Sequence, residues 1–484
     1  MVARVSGPKW GKAVGAVVVP REGQAGPVAD ELIAFCRTHI GSDKGPKGVS
    51  LHTEPLPQSV RVCTLRRRSP PMTISDERLD TILPPPPNTP PSALRGVRVL
   101  DFTRAQQGPF ATLLLADMGA EVIKVEPPGG EMGRATGLQD DGFSSYFEGH
   151  NRGKRSITLD LKRPGGVSVV QRLIPVCDVV VENFRPGVME RLGIGYEDCQ
   201  RLREDIIFAS ASAWGRQGPW AARGGYDHVA QALSGVMYEQ GEGPGGEPHA
   251  LIGGFADQIG AMLLAFGIAS ALFVRQRDGI GQHIDGSLIG GMVAMQSKQI
   301  TEFLRTGKQS GFQPRRAATY TNYRCADGRH VAIAANAQDM WERLCDAIAA
   351  PQLKSDERFA EPFGRARYKD ALVEALAAVF ETRPLADWLG PLEEHDVPHA
   401  PVLDYAGMSK HPQYWANAYL QEIETPHLGA MRVPGPPIQM SATPPRVQGC
   451  GPILGFHTED ILESIGYTWA EIERLKDSGA IRTA

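Results

Sequence analysis

Short β-branched runs alternate with stretches of helical spacing through the middle of the chain. The runs are VRVLD (97–101), EVIKVE (121–126), SITLDL (156–161), DVVVEN (178–183) and IIFASAS (206–212). They are apolar on both faces of the pleat, which predicts buried parallel strands. Residues 109–118 and 164–176 between them have amphipathic spacing. The second stretch opens on Pro164, at a helical position whose N–H needs no partner. This alternation predicts an α/β fold with a Rossmann-like, doubly wound parallel sheet. Such sheets bind ligands beyond the C-terminal ends of their strands, so 103–109, 127–134 and 183–187 are the segments where chemistry is expected.

Domain limits follow from changes in texture. Leu83–Ser92 carries six prolines in ten residues, a composition that predicts a stiff extended linker. The expected division is an N-terminal module (1–68), the linker (69–93), a large α/β domain (94–300), a smaller α+β domain (301–420) and a tail (421–484) that returns to the large domain. The smaller domain is read from NYRCADGRHVAIAA, a hairpin pattern around Asp327 and Gly328, followed by three helical patterns through Leu392. The tail has strand-like text at 433–440 and a helical pattern at 459–465.

The charge balance of 51 basic against 55 acidic side chains gives no field for nucleic acid, and no nucleic-acid partner is expected. The longest apolar stretch, 261–274, is too short to span a bilayer and suits a buried helix; no membrane partner is expected. The N-terminal apolar run ends at Pro20 and Arg21 without a cleavage site, so no signal peptide is read. Seven cysteines are scattered without C-x-x-C spacing, which points to a reducing cytoplasm and to no zinc site. No G-x-S-x-G, P-loop or metal-ligand spacing occurs, and no metal is expected.

Four motifs remain. Gly241–Gly246 matches G-x-G-x-x-G as a string, but it lacks a preceding strand and a following helix, so a loop is expected. Asn151–Arg155 (NRGKR) reads as a solvated turn or as a phosphate holder. Asn183–Gly193, with Arg185 and Arg191, reads as an anion site or as a plain helix start. Asp257 precedes a long helical pattern, 258–277. It reads as a helix cap, or as a carboxylate that the positive helix end keeps ionised and nucleophilic toward acyl carbon.

From 94 to about 481 the text resembles the family III CoA-transferases (CaiB/BaiF). The resemblance rests on LRGVRVLDFTRAQQGP (94–109), ADMGAEVIKVEPPGG (116–130), NRGKRSITLDL (151–161), DVVVENFRPG (178–187), GGYDHVAQALSG (224–235), GQHIDGSL (281–288) and GFHTEDIL (455–462), in family order. It implies an interlocked homodimer that transfers CoA from an acyl-CoA to a carboxylic acid, with CoA thioester as substrate and no cofactor bound permanently. It also implies that Asp257 is the nucleophile, through aspartyl anhydride and aspartyl-CoA thioester intermediates. Ala105, Lys124, Arg134, Asn183, Phe184, Arg191 and Tyr226 are carried over as CoA-site positions, with Gln106 and neighbouring backbone N–H groups as the candidate oxyanion donors. Two alternatives are a racemase or epimerase of the same fold and a CoA-binding protein without turnover. Tyr226 stands where the racemase branch has a histidine base, which argues against α-proton exchange. The glycine-rich loop of formyl-CoA transferases has no counterpart at Arg315–Tyr323, which makes oxalate and formate poor candidates.

The first 65 residues resemble the C-terminal subdomain of acyl-CoA synthetases, through WGKAVGAVVVPREG (10–23), ADELIAFCR (29–37) and KGPKGV (44–49). That family's adenylation lysine is missing from 58–63. A remnant without ligase activity is expected.

Overall fold

The computed structural model describes residues 91–137, 139, 142–241, 246–308, 317–425 and 429–484, with the backbone of four short strands in the first 63 residues. The N-terminal module beyond those strands, most of the proline-rich linker, the centre of the Gly241–Gly246 string and the start of the Arg315–Tyr323 segment lie outside the described residues. The chain divides into Met1–Arg78 and Leu79–Ala484. In the first unit Val2–Ala3 pairs antiparallel with Val62–Cys63, and Gly15–Val18 pairs parallel with Gly48–Leu51.

The second unit is an α/β structure built on a seven-stranded sheet. Its first six strands are β1 (Arg98–Asp101), β2 (Glu121–Glu126), β3 (Arg155–Leu159), β4 (Val179–Glu182), β5 (Ile207–Ser212) and β6 (Gln282–Ser287). They run parallel in the order β6-β5-β4-β1-β2-β3. The C-terminal Ile481–Arg482 adds an antiparallel edge beside β3, so the sheet is mixed and mostly parallel. This edge and β6 are strands that the hydrophobic pattern did not mark. Gln282, His283 and Asp285 make β6 polar, and only its place at the end of the sheet allows that.

The strand runs are apolar throughout because both faces are covered. Val99, Val122, Val179, Val181 and Ile207 point to one face, packed against Ala111 and Leu115 of α1 (Gln107–Asp117) and Ala261, Leu264 and Ile268 of a long helix, Phe255–Asp278. Leu100, Ile123, Ile157, Val180 and Phe208 alternate with them and meet Val169 and Leu173 of a helix over Pro164–Leu173. Ile461, Leu462 and Ile472 from the C-terminal helices complete that layer. Each fully buried aliphatic side chain contributes about 1.5–3 kcal/mol. Residues 433–440 were expected to be strand-like, but the hairpin Leu420–Thr425 with Gly429–Pro434 stops at Pro434.

A separate core lies over 318–397, where a three-stranded antiparallel sheet (Tyr320–Arg324, His330–Ala334, His399–Pro401) packs on helices. Tyr323 stacks on Phe380 at 5.1 Å, and Trp388 Nε1 donates to the Phe380 carbonyl at 2.9 Å.

The NRGKR segment is neither a solvated turn nor a phosphate holder. Arg152 pairs with Asp117, and Lys154 Nζ donates to Asp101 at 2.9 Å, all four side chains being buried. These cations neutralise carboxylates at the sheet's interior edge, which leaves none for a ligand.

Candidate active site

The order of β1 to β6 reverses between β1 and β4, so the chains leaving those two strands diverge and open a crevice. Burial pushes the carboxyl of Asp101, at the end of β1, upward. The ammoniums of Lys154 and Lys124 and the Thr103 and Thr112 hydroxyls more than offset this, and it stays below the usual carboxylate range. It accepts the Thr103 N–H at 2.8 Å and anchors the next turn. Asn183, just after β4, closes two hydrogen bonds on the backbone of Arg104: its Oδ1 accepts the Arg104 N–H at 3.0 Å and its Nδ2 donates to the Arg104 carbonyl at 2.7 Å.

Ala105 is left in the left-handed region at φ 65°, which costs an alanine about 1–2 kcal/mol. Glu131 holds it there by accepting its N–H at 3.1 Å. Gln106, next in the chain, reaches across to the long helix, α2 (Phe255–Asp278), and donates from Nε2 to the carbonyls of Gly253 and Gly254 at 3.1 and 3.4 Å. Gly254 is the residue before the helix, with φ 69°. A Cβ there would stand 2.2 Å from Gln106 Nε2, so the close approach requires glycine.

Asp257 is therefore the third residue inside α2 and does not cap it. The cap comes from another element: Asp227 Oδ1 accepts the N–H groups of Ala256 and Asp257 at 2.6 and 3.2 Å. Buried Gln231 fixes Asp227, donating to its Oδ2 at 2.7 Å while accepting the Leu251 N–H at 2.8 Å. No hydrogen bond to the Asp257 carboxylate is found among the described residues. Burial, with the Asp227 charge second, pushes that carboxyl up to about 7. The expectation that the helix end keeps it ionised is corrected: at neutral pH it is poised between its two forms.

The Asp257 carboxyl lines a cavity of about 230 Å³ together with Ala105, Gln106, Asn183, Phe184 and Tyr226. Three further candidates fall elsewhere. Lys124 is fully buried, with Nζ donating to the Thr103 carbonyl at 2.8 Å and 3.7 Å from Glu131. Arg134 donates to both oxygens of Glu126 at 2.7 Å and to the Pro452 carbonyl, and lies 3.8 Å over the Phe147 ring. Arg191 is exposed on the short helix Val188–Arg191, outside the cavity. In this structure Lys124 and Arg134 brace the loops around the crevice. Gln106 is likewise corrected as an oxyanion donor, because its amide hydrogens point to two backbone carbonyls.

The cavity also contains Tyr146 and Arg223, which the sequence reading missed, together with Arg185 from the anion-site alternative and Arg104 from the segment after β1. Burial, then the charges of Asp257, Glu131 and Asp227, push the Tyr146 phenol up to about 12, so it is a neutral donor at physiological pH. Behind it His150 donates from Nδ1 to the Tyr146 carbonyl at 2.6 Å, and its Nε2 meets Gln258 Nε2 at 3.2 Å. Tyr146 follows the Ser144 cap of a short helix whose sequence carries no ligand motif, so only its position next to α2 reveals it.

The family model described as CoA-transferase family III matches residues 94–458. The acetyl-CoA:oxalate CoA-transferase of Acetobacter aceti is 37% identical over 361 residues, covering 73% of this chain and 91% of that protein. The succinyl-CoA:glutarate CoA-transferase of Mus musculus is 35% identical over 401 residues, covering 80% and 90%. A crystal structure of a CaiB/BaiF family protein from Brucella suis superposes with a TM-score of 0.69 at 32% identity, covering 78% of this chain and all of that one.

Proposed function

The chain belongs to CoA-transferase family III, and from that premise we propose that it moves CoA from an acyl-CoA thioester to a free carboxylic acid with Asp257 as the acyl-accepting group. The observation that carries this reading is the Asp257 carboxyl itself, facing a cavity, without a hydrogen-bond partner among the described residues and with its charge only partly favoured. A carboxylate in that condition is more nucleophilic than one solvated or paired.

The steps balance without redox change or net proton. The Asp257 carboxylate attacks the thioester carbonyl, the C–S bond breaks, and CoA thiolate leaves an aspartyl anhydride. Thiolate attack on the aspartyl carbonyl gives aspartyl-CoA thioester and frees the donor acid. The incoming carboxylate attacks that thioester, forming a new anhydride and thiolate, and the thiolate takes the new acyl group and regenerates Asp257. The Tyr146 phenol is the candidate donor to the oxyanions.

Tyr226 offers no base for α-proton exchange, which disfavours the racemase alternative. The reading includes a homodimer. Met262, Phe266 and Phe273 on α2 are exposed, Phe266 by 71%, an apolar face that a second copy would cover. Although α2 is long and apolar enough to cross a membrane, its other face packs on the sheet through Ala261, Leu264 and Ile268.

Incubation with acyl-CoA followed by hydroxylamine tests the mechanism. The expected result is a hydroxamate on the peptide containing Asp257, absent in Asp257→Asn. Transfer activity with no adduct at that peptide would move the chemistry to another residue.

A further inference from the structure

The cavity that contains Asp257 is also lined by two arginines from different elements, Arg185 after β4 and Arg223 ahead of the helix Asp227–Leu233. Gly224 makes room for Arg185. A Cβ there would lie 2.7 Å from Arg185 Nη2, so the bare backbone at 224 lets that guanidinium lie against the loop next to Arg223. The Arg223 guanidinium sits 4.4 Å over the Trp220 ring, and Trp220 meets Trp214 edge to face at 5.1 Å. This stacking fixes the plane of the guanidinium and leaves its edge for a ligand.

Neither arginine has a carboxylate partner among the described residues, whereas Arg98, Arg134, Arg152, Arg203 and Arg275 all pair with one. The reacting carboxylate of a substrate must reach Asp257, and a second anionic group on the same molecule would meet these cations. We infer that Arg185 and Arg223 form a subsite for the distal carboxylate of a dicarboxylic acid, so that the substrate class is diacids and their CoA thioesters. This rests on the transferase reading above. Both arginines are exposed, so the selectivity comes from the contact itself: planar guanidinium edges match a carboxylate with two parallel charge-assisted hydrogen bonds, which an acid lacking that group does not make.

The test compares glutarate with pentanoate, acids of equal length that differ by one carboxylate. With one donor thioester, the ratio of kcat/KM for glutarate to that for pentanoate is expected to fall on the order of tenfold to a hundredfold in Arg185→Leu and in Arg223→Leu, and to recover partly in Arg223→Lys. Equal losses for both acids with a raised KM for the thioester would overturn the inference and assign the arginines to a phosphate of CoA. A second measurement does not need turnover: glutarate titrated against tryptophan fluorescence is expected to saturate at least tenfold below pentanoate in the wild type, with the difference lost in Arg185→Leu. Equal binding of the two acids in the wild type would overturn the diacid subsite. Discrimination in binding without any CoA transfer would support the subsite and sink the transferase reading instead.

Discussion

Asp227 Oδ1 accepts the backbone N–H groups of Ala256 and Asp257, so one carboxylate caps the helix on which the other is presented to the cavity. The pair has two consequences. The cap orients Asp257, and its negative charge adds to burial in holding the Asp257 carboxyl near 7. A residue with both roles can be separated by substitution.

Asp227→Ala removes the cap and is expected to cost about 1 kcal/mol of stability, with a fall in kcat. Asp227→Asn keeps an oxygen for the two N–H groups and removes the charge, so the acid limb of the pH–rate profile should move to lower pH. A limb that stays in place in the Asn variant would show that Asp227 only caps.

In the wild type, kcat/KM is expected to rise with pH through about 7, because the nucleophile is the ionised form and its ionisation is raised from 3.8. Initial rates across pH 5 to 9 with one donor and one acceptor check this. A profile flat down to pH 5 would contradict it.

Asp257→Asn should lower transfer by several orders of magnitude while stabilising the fold at pH 8. The sign follows from linkage: with the folded value above the unfolded one, the wild type has its full contribution below 3.8 and loses it as pH rises through about 7. The Asn variant has no such loss. Chemical denaturation should therefore show a gain of about 1–3 kcal/mol at pH 8 that vanishes near pH 4; a variant less stable at pH 8 would count against the buried charge.

Gln106 is expected to act by holding the turn at Gly253 and Gly254. Gln106→Ala should cost about 1 kcal/mol of stability together with its loss of rate. Gln106→Glu, which turns a donor toward two carbonyls into a charged acceptor, should be worse than Ala. Lost rate with unchanged stability in both variants would restore Gln106 as an oxyanion donor.

Light scattering of the active protein is expected to give about twice the chain mass of 52.4 kDa. Phe266→Glu, on the exposed face of α2, should shift it toward monomer. An active wild-type monomer at micromolar concentration would remove the dimer from the reading.

The hydrophobic pattern alone determined the five central strands, the covered parallel sheet they form and the loops where ligands were to be sought. Buried strands need a continuous apolar run, and that requirement is local. Asp257 and the motifs around 105 and 183 were marked in the sequence as short strings at a strand end or helix start, and the fold brings them to one cavity. The partners of those residues were decided only by the fold. Lys124 and Arg134 look like ligand cations in the text, but Glu131 and Glu126 stand within reach once the sheet closes and hold both inside. Asp257 reads as a cap until Asp227, thirty residues earlier in the chain, is brought against the same helix end. A charge is free or paired according to what the chain folds against it, and burial at that point sets its proton affinity. These are properties of distance in space, which spacing along the sequence does not carry.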